Sequence, residues 1–186
     1  TQAQPFVPVS LSNRAHEALA NLEVAVEQAG ATVDIGQLPQ IEADASQVRQ
    51  LFQNLLANAL KFRRPDVAPV VLVRGRLLNT TYYDPDDPAP PDCCEVTVQD
   101  NGVGFEEKFR ERIFGVFQRL HTRDEYPGTG IGLALCRKIV ERHGGTIGAE
   151  GQPGEGATFT VTLPVRHPAE APIHGPENSA NHVAGS

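Results

Sequence analysis

The stretch YPGTGIGLALCRKIVERHGG, Tyr126 to Gly145, sets Gly128, Gly130 and Gly132 at alternate positions directly ahead of an amphipathic helical pattern. Position 133 is Leu, so the G-x-G-x-x-G dinucleotide fingerprint fails, and no G-K-[ST] follows, so a Walker phosphate loop fails as well. What remains is physical. A glycine turn feeding a helix start presents unpaired N–H groups and a positive dipole end to an anion. A plain flexible joint accounts for the same residues, and the spacing alone leaves both readings open.

The pattern around this stretch fixes the architecture. A helix over Gly130 to His143 is followed by two strands, TIGAE and ATFTVTLPV. Near the start, FVPVSL (Phe6 to Leu11) alternates like a strand, and Ala15, Ala18, Leu19, Leu22, Val26 and Ala29 recur at helical spacing, with Ser12 as N-cap and Gly30 as stop. ATVDI and QIEA read as short strands. A second helix begins at Asp44, with Gln47 three residues on to complete a capping box. Val48, Leu51, Phe52, Leu55, Ala59 and Phe62 form its apolar face, and Pro65 ends it. PVVLVRGRLL and CCEVTVQD read as an antiparallel pair joined by the Pro/Asp-rich NTTYYDPDDPAPPD, a solvated hairpin loop. Strands and three helices without regular β-α-β alternation predict an α+β fold, a two-layer α/β sandwich with a mixed, mostly antiparallel sheet covered on one face by three main helices. One domain over residues 1–166 is expected, with residues 167–186 a disordered tail of Pro, Gly, Ala and polar residues.

Composition narrows the class. The 186 residues carry a formal charge of -7 and a pI near 5.3, against a nucleic-acid binder, which needs a basic face. No apolar run approaches the ~20 residues that span a bilayer, and no secretory leader opens the chain. A cytoplasmic setting without membrane contact is expected, and the start at Thr1, with no Met anywhere, suggests a fragment of something longer. Cys93, Cys94 and Cys136 lack metal-ligand spacing and read as buried or half-buried thiols.

Three groups of residues can carry chemistry. Asn54, Asn58 and Lys61 fall at i, i+4 and i+7 on one side of the second helix. Two carboxamides and an ammonium can offer oxygen to a hard cation and charge to phosphate, although a solvated helix edge has the same spacing. Asp100 ends a strand and is followed by Gly102 and Gly104. Such a carboxylate either shapes an Asx turn or accepts a hydrogen bond from an exocyclic amine, the glycines letting a flat base approach the backbone. The glycine turn is the third group.

Their order is more specific than any one of them. An N-x-x-x-N helix, D-x-G-x-G, F-x-x-F (Phe114, Phe117), G-x-G-x-G and then GEGATF (Gly154 to Phe159) together resemble the ATP-binding catalytic domain of bacterial sensor histidine kinases. These share the Bergerat fold with gyrase, Hsp90 and MutL-type ATPases. The resemblance covers roughly Pro8 to Val165, and FQRLHTRDEYPGTGIGLALCRKIVERHGG looks closest to cytoplasmic-type kinases fed by PAS or phytochrome-like sensor modules. It implies ATP and Mg²⁺ as cofactors, Asn58 as the metal ligand with Asn54 beside it, and Lys61 on phosphate. It also implies that Asp100 binds the adenine amino group, that Gly102 and Gly104 shape the base pocket, and that Thr158 stands near the adenine. Phe114 and Phe117 would anchor a mobile ATP lid containing Arg119, His121 and Arg123. Gly128, Thr129, Gly130, Ile131, Gly132 and Leu133 would form its far hinge and phosphate cradle.

The implied activity is transfer of the γ-phosphoryl of ATP to a histidine, and thence to a response-regulator aspartate. The alternatives are an ATP-hydrolysing clamp and an anti-sigma-type serine kinase. Asn54 discriminates, since the hydrolytic relatives carry a water-activating Glu there and a neutral amide cannot accept a proton as general base. His16-Glu17 does not supply the acceptor: the helix is about 18 residues by its periodicity, lacks a following Pro and leads into a strand. His16 reads as a surface residue and His143 as a charge complement at a helix C-terminus. The expected partners are therefore a separate dimerisation and histidine-phosphoacceptor domain and a receiver domain, within a homodimeric full-length protein.

Overall fold

A computed structural model describes residues 4–79, 92–115 and 130–167. In chain order the elements are β1 (Val7–Ser10), α1 (Leu11–Ala20), α2 (Glu23–Ala29), β2 (Thr32–Ile35), β3 (Gln40–Ala43), α3 (Ala45–Lys61), β4 (Val70–Leu78), β5 (Cys93–Asp100), two 3₁₀ turns (Glu107–Phe109 and Arg112–Phe114), α4 (Gly132–Arg142), β6 (Thr146–Gln152) and β7 (Gly156–Pro164).

Alternation along the strands builds the main sheet, ordered β2-β4-β5-β7-β6, with β2 and β4 parallel and the other neighbours antiparallel. Val71, Val73, Cys94, Val96, Val98, Phe159, Val161 and Leu163 are buried. They join Leu51, Phe52, Leu55 and Leu56 of α3, Ala15 and Ala18 of α1, and Ile139 and Val140 of α4 in one core cluster. The intervening residues, Arg74 and Arg76 of β4 and Thr97, Thr160 and Thr162 of β5 and β7, fall on the opposite face of the sheet. Packing α3 between α1 and α4 over one sheet face gives the expected two-layer sandwich. No described helix is long and apolar enough to cross a membrane.

The structure differs from the sequence reading at several places. The first helical pattern is two helices, because Asn21 caps α1 with its N–H on Glu17 O and Leu22 leaves helical geometry at φ -109°, ψ 10°. Asn is a poor residue for a helix interior because its side chain competes for nearby backbone groups. Ser10, not Ser12, accepts the capping bond, from Asn13 N. Ser12 lies inside the first turn and exchanges hydrogen bonds with the backbone of Leu38. β1 and β3 pair with each other in a separate two-stranded sheet.

Asp44 does cap α3, its Oδ1 accepting from Ser46 N at 3.0 Å and Gln47 N at 3.2 Å. The return half of the capping box is not made. Gln47 Oε1 accepts from Arg142 at 2.9 Å, and the Asp44 N–H donates to His143 Nε2 at 3.1 Å. His143 is therefore no charge complement: it is 1 % exposed, and burial lowers its pKa. Its Nδ1 donates to Ile139 O at 2.7 Å. His16 is exposed, as expected, with Nδ1 2.8 Å from Ser12 O. His167, assigned to the tail, is packed: its ring stacks on Phe6 at 4.1 Å, and its N–H donates to Glu42 at 2.8 Å. Residues 168–186 and the loop 80–91 lie outside the described residues.

Candidate active site

The 17 residues of α3 run from the Asp44 cap to Lys61 and place Asn54, Asn58 and Lys61 beside a buried stripe. All three are half-buried. Asn54 turns its amide nitrogen toward α4, 3.5 Å from Gly132 O and within reach of the Cys136 sulfur. Burial pushes the Cys136 thiol up to about 12, so it stays protonated as a neutral neighbour. Among the described residues nothing occupies the Asn58 carboxamide. Lys61 holds its ammonium 4.8 Å from the Phe62 ring centroid.

Asp100 stands at the end of β5 on the helix-covered side, paired in register with Ala157. Burial raises its pKa, and hydrogen bonds from the Gly102 N–H at 2.8 Å and from the Ala157 backbone oppose the rise. A carboxylate held by two backbone donors keeps its orientation and has lone pairs left for a further donor. The two glycines after it are sterically required. A Cβ on Gly102 would collide with Phe62 O, and Gly104, at φ 63°, lies against the carbonyls of Gln152 and Gly156. The loop is fastened on both sides, since Val103 N donates to Phe62 O at 2.9 Å and Gly154 N donates to Val103 O at 2.8 Å.

α4 supplies the third wall. Gly130 turns the chain at φ 70°, Ile131 is the exposed N-cap residue, and the helix starts at Gly132 with no side chain capping it. Among the described residues no side chain accepts from the first N–H groups of α4, the groups a helix start leaves for an outside acceptor. A Cβ on Gly132 would meet nothing, so close packing does not demand glycine there. Leu133 packs against the core. Phe114 is buried, edge-on to Phe159 at 6.3 Å and covered by the Arg137 guanidinium at 4.4 Å.

The structure thus brings Asn54, Asn58 and Lys61, Asp100 with Gly102 and Gly104, and the start of α4 onto the helix-covered side of the sheet. Thr158 is not among them. Register pairs it with Gln99 and Glu150, so it points from the opposite face, and Ala157 is the residue beside Asp100. One-residue alternation decides this, and the string GEGATF does not reveal which of two adjacent positions faces in. Phe117, Arg119, His121, Arg123, Gly128 and Thr129 lie outside the described residues. Two contributors went unnoticed in the sequence. Asn101 accepts from Val70 N at 2.9 Å and donates to Ala68 O at 3.0 Å. Arg64 bridges two backbone carbonyls across the loop. An Asn after a strand-end Asp signals a turn, but nothing local signals Arg64.

Residues 43–167 match the family described as histidine kinase-, DNA gyrase B-, and HSP90-like ATPases. The chain is 46 % identical over 149 residues, 80 % of its length and 18 % of the relative's, to the phytochrome-like protein Cph1 of Synechocystis. It is 43 % identical to cyanobacterial phytochrome A of Nostoc, over 89 % of the chain and 20 % of the relative. It spans about a fifth of the length of these relatives. Among solved structures, the mycobacterial sensor histidine kinase MprB superposes with TM-score 0.67 at 25 % identity, covering 87 % of this chain and 98 % of that one. Full-length ShkA in complex with AMPPNP shares the fold at TM-score 0.69 and 24 % identity, over 88 % of this chain and 31 % of that one. The chain therefore belongs to the histidine kinase-, DNA gyrase B- and HSP90-like ATPase family.

Proposed function

We propose that the chain binds Mg²⁺-ATP between α3, the Asp100 loop and the start of α4, and passes the γ-phosphoryl group to a histidine on a separate phosphoacceptor domain, for relay to a receiver-domain aspartate. The observation that carries the nucleotide reading is Asp100. It is a buried carboxylate fixed by two backbone donors, beside glycines that pack directly on the backbone of Phe62, Gln152 and Gly156 and hold its loop in place. This suits an acceptor for the exocyclic amine of adenine. Family membership supports it, as does the nucleotide analogue named with ShkA.

The donor set suits magnesium carried by phosphates. Among the described residues no three His, Cys, Asp or Glu cluster to cage a cation. Asn58 would give Mg²⁺ a single carboxamide oxygen, the remainder coming from phosphate and water, as this ion accepts. The bound ion would supply positive charge to the phosphates during transfer. Lys61 adds an ammonium, and the uncapped start of α4 offers N–H groups toward the same anion. Asn54 can orient a neighbouring water or hydroxyl but cannot take its proton. That favours transfer to an external nucleophile over hydrolysis and ranks the clamp reading second.

The test is a thermal-shift titration with Mg²⁺-ATP, followed by incubation with γ-labelled ATP and a two-helix phosphoacceptor domain from a related kinase. Binding should raise the melting temperature, and label should reach the acceptor as an acid-labile, base-stable phosphoramidate. Rapid ATP turnover by the chain alone, without label transfer, would overturn the kinase reading.

A further inference from the structure

The turn after α3 carries two arginines in succession with different reach. Arg63 bonds locally, its guanidinium donating to Leu60 O at 3.0 Å. Arg64 spans the site. Its Nε donates to Asn101 O at 2.9 Å, 37 residues away in sequence, and its terminal Nη1 donates to Gly154 O at 2.7 Å, 90 residues away. The same turn contributes Phe62 O, which accepts from Val103 N at 2.9 Å. Asn101 is itself pinned to the backbone of Val70 and Ala68. The backbone just after Asp100 is thereby held through one guanidinium to the β6–β7 turn that Gly104 lies against.

We propose that Arg64 is a positioning residue of the base pocket. It holds the Asp100–Gly104 loop against the β6–β7 turn, and so fixes the wall from which Asp100 would face a planar base. The inference rests on the nucleotide reading above. Its chemistry is specific to arginine, because two carbonyls in different elements need two donors at a rigid planar spacing, whereas an ammonium is a single point on a flexible stem. Arg64 does not act as a charge on Asp100, whose raised pKa comes from burial opposed only by backbone donors. Its effect should therefore fall on ligands that carry the base and spare those that carry phosphate alone.

The experiment measures binding of Mg²⁺-ADP, adenosine and Mg²⁺-tripolyphosphate by calorimetry to the chain and to its Arg64→Ala, Arg64→Lys and Arg63→Ala variants. Arg64→Ala should weaken ADP and adenosine by on the order of tenfold, the worth of one or two charge-assisted hydrogen bonds. Tripolyphosphate should stay within about twofold, inside ordinary context variation for a surface change. Arg64→Lys should fall between, and Arg63→Ala should match the parent. Equal weakening of all three ligands by Arg64→Lys, or unchanged ADP binding in Arg64→Ala, overturns the proposal. If Arg64→Ala does not fold, the Lys variant carries the comparison. Amide exchange at Val103 and Gly154 in the ligand-free chain gives a separate readout: it should quicken in either Arg64 variant, and unchanged exchange also overturns the positioning role. A parent chain that binds tripolyphosphate but neither adenosine nor ADP would instead remove the adenine reading, and this proposal with it.

Discussion

His143 at the end of α4 accepts a hydrogen bond at Nε2 from the backbone N–H of Asp44 at the start of α3, 3.1 Å away. The two site-bearing helices are thus joined at the ends opposite the site. Around this bond, Asp44 Oδ2 accepts from Gln4 N at 2.7 Å and from Arg142 at 3.0 Å, and Phe6 lies 4.7 Å from the His143 ring with the Arg142 guanidinium 5.0 Å above it.

This arrangement predicts a two-step loss of stability on acidification. His143 is held neutral, donating from Nδ1 and accepting at Nε2, so protonation would set N–H against N–H. Its folded pKa is lowered by burial below the ordinary 6.5, with Arg142 and His167 also disfavouring the charge and Asp44 opposing them. The unfolded chain therefore binds the proton first, and stability falls as pH drops below about 6.5. Asp44 follows. Burial alone would raise its pKa, but hydrogen bonds from Gln4, Ser46, Gln47 and Arg142 hold it at about 2, against 3.8 ordinarily. That difference stabilises the fold by about 2 kcal/mol above pH 4, lost as pH falls toward 2. His143→Gln should flatten the melting-temperature curve between pH 7 and 5 and leave the lower step in place. The same slope in that variant would exclude His143 as its source.

Asp100→Asn should act with opposite signs on stability and on binding. Because burial raises the Asp100 pKa, its ionised form costs the folded state free energy above the folded pKa, and that cost is relieved as pH falls through it. The ligand-free variant should melt higher than the parent at neutral pH, with the gap closing in acid. The melting shift caused by Mg²⁺-ATP should shrink, since an amide is a weaker acceptor than a carboxylate for an exocyclic amine. An undiminished ATP shift would take Asp100 out of the adenine site.

Asn54→Glu tests the choice between transfer and hydrolysis. The Asn54 amide nitrogen now faces Gly132 O at 3.5 Å. A carboxylate would be repelled by that carbonyl and turned toward the site, where it could accept a proton from water. ATP hydrolysis by the chain alone should rise by a factor on the order of 10² or more, the usual worth of a positioned general base. Steady-state phosphate release measures it. No change would show that position 54 does not separate the two reactions here.

Much of the fold was legible locally. The 3.6-residue stripe of α3, the Asp44 cap and the period-two runs of β4, β5 and β7 depend on neighbours in sequence, and each element formed where its pattern stood. The same holds for the Asp100 turn, whose carboxylate accepts from Gly102 N two residues on, whereas the carbonyls of Phe62, Gln152 and Gly156 that demand glycine at 102 and 104 are distant in sequence. Contacts between distant elements were not legible. His143 looked like a helix-end charge until α4 met the cap of α3 and buried it. The family resemblance points to Thr158 near the adenine, but pairing with β5 turns Ala157 inward and Thr158 to the opposite face. Arg64 had no local signature, because its partners are two backbone carbonyls, groups that every residue carries and no sequence pattern marks. Periodicity, capping and turn chemistry are written in adjacent residues. Register, desolvation and long-range backbone bonds exist only once the layers pack.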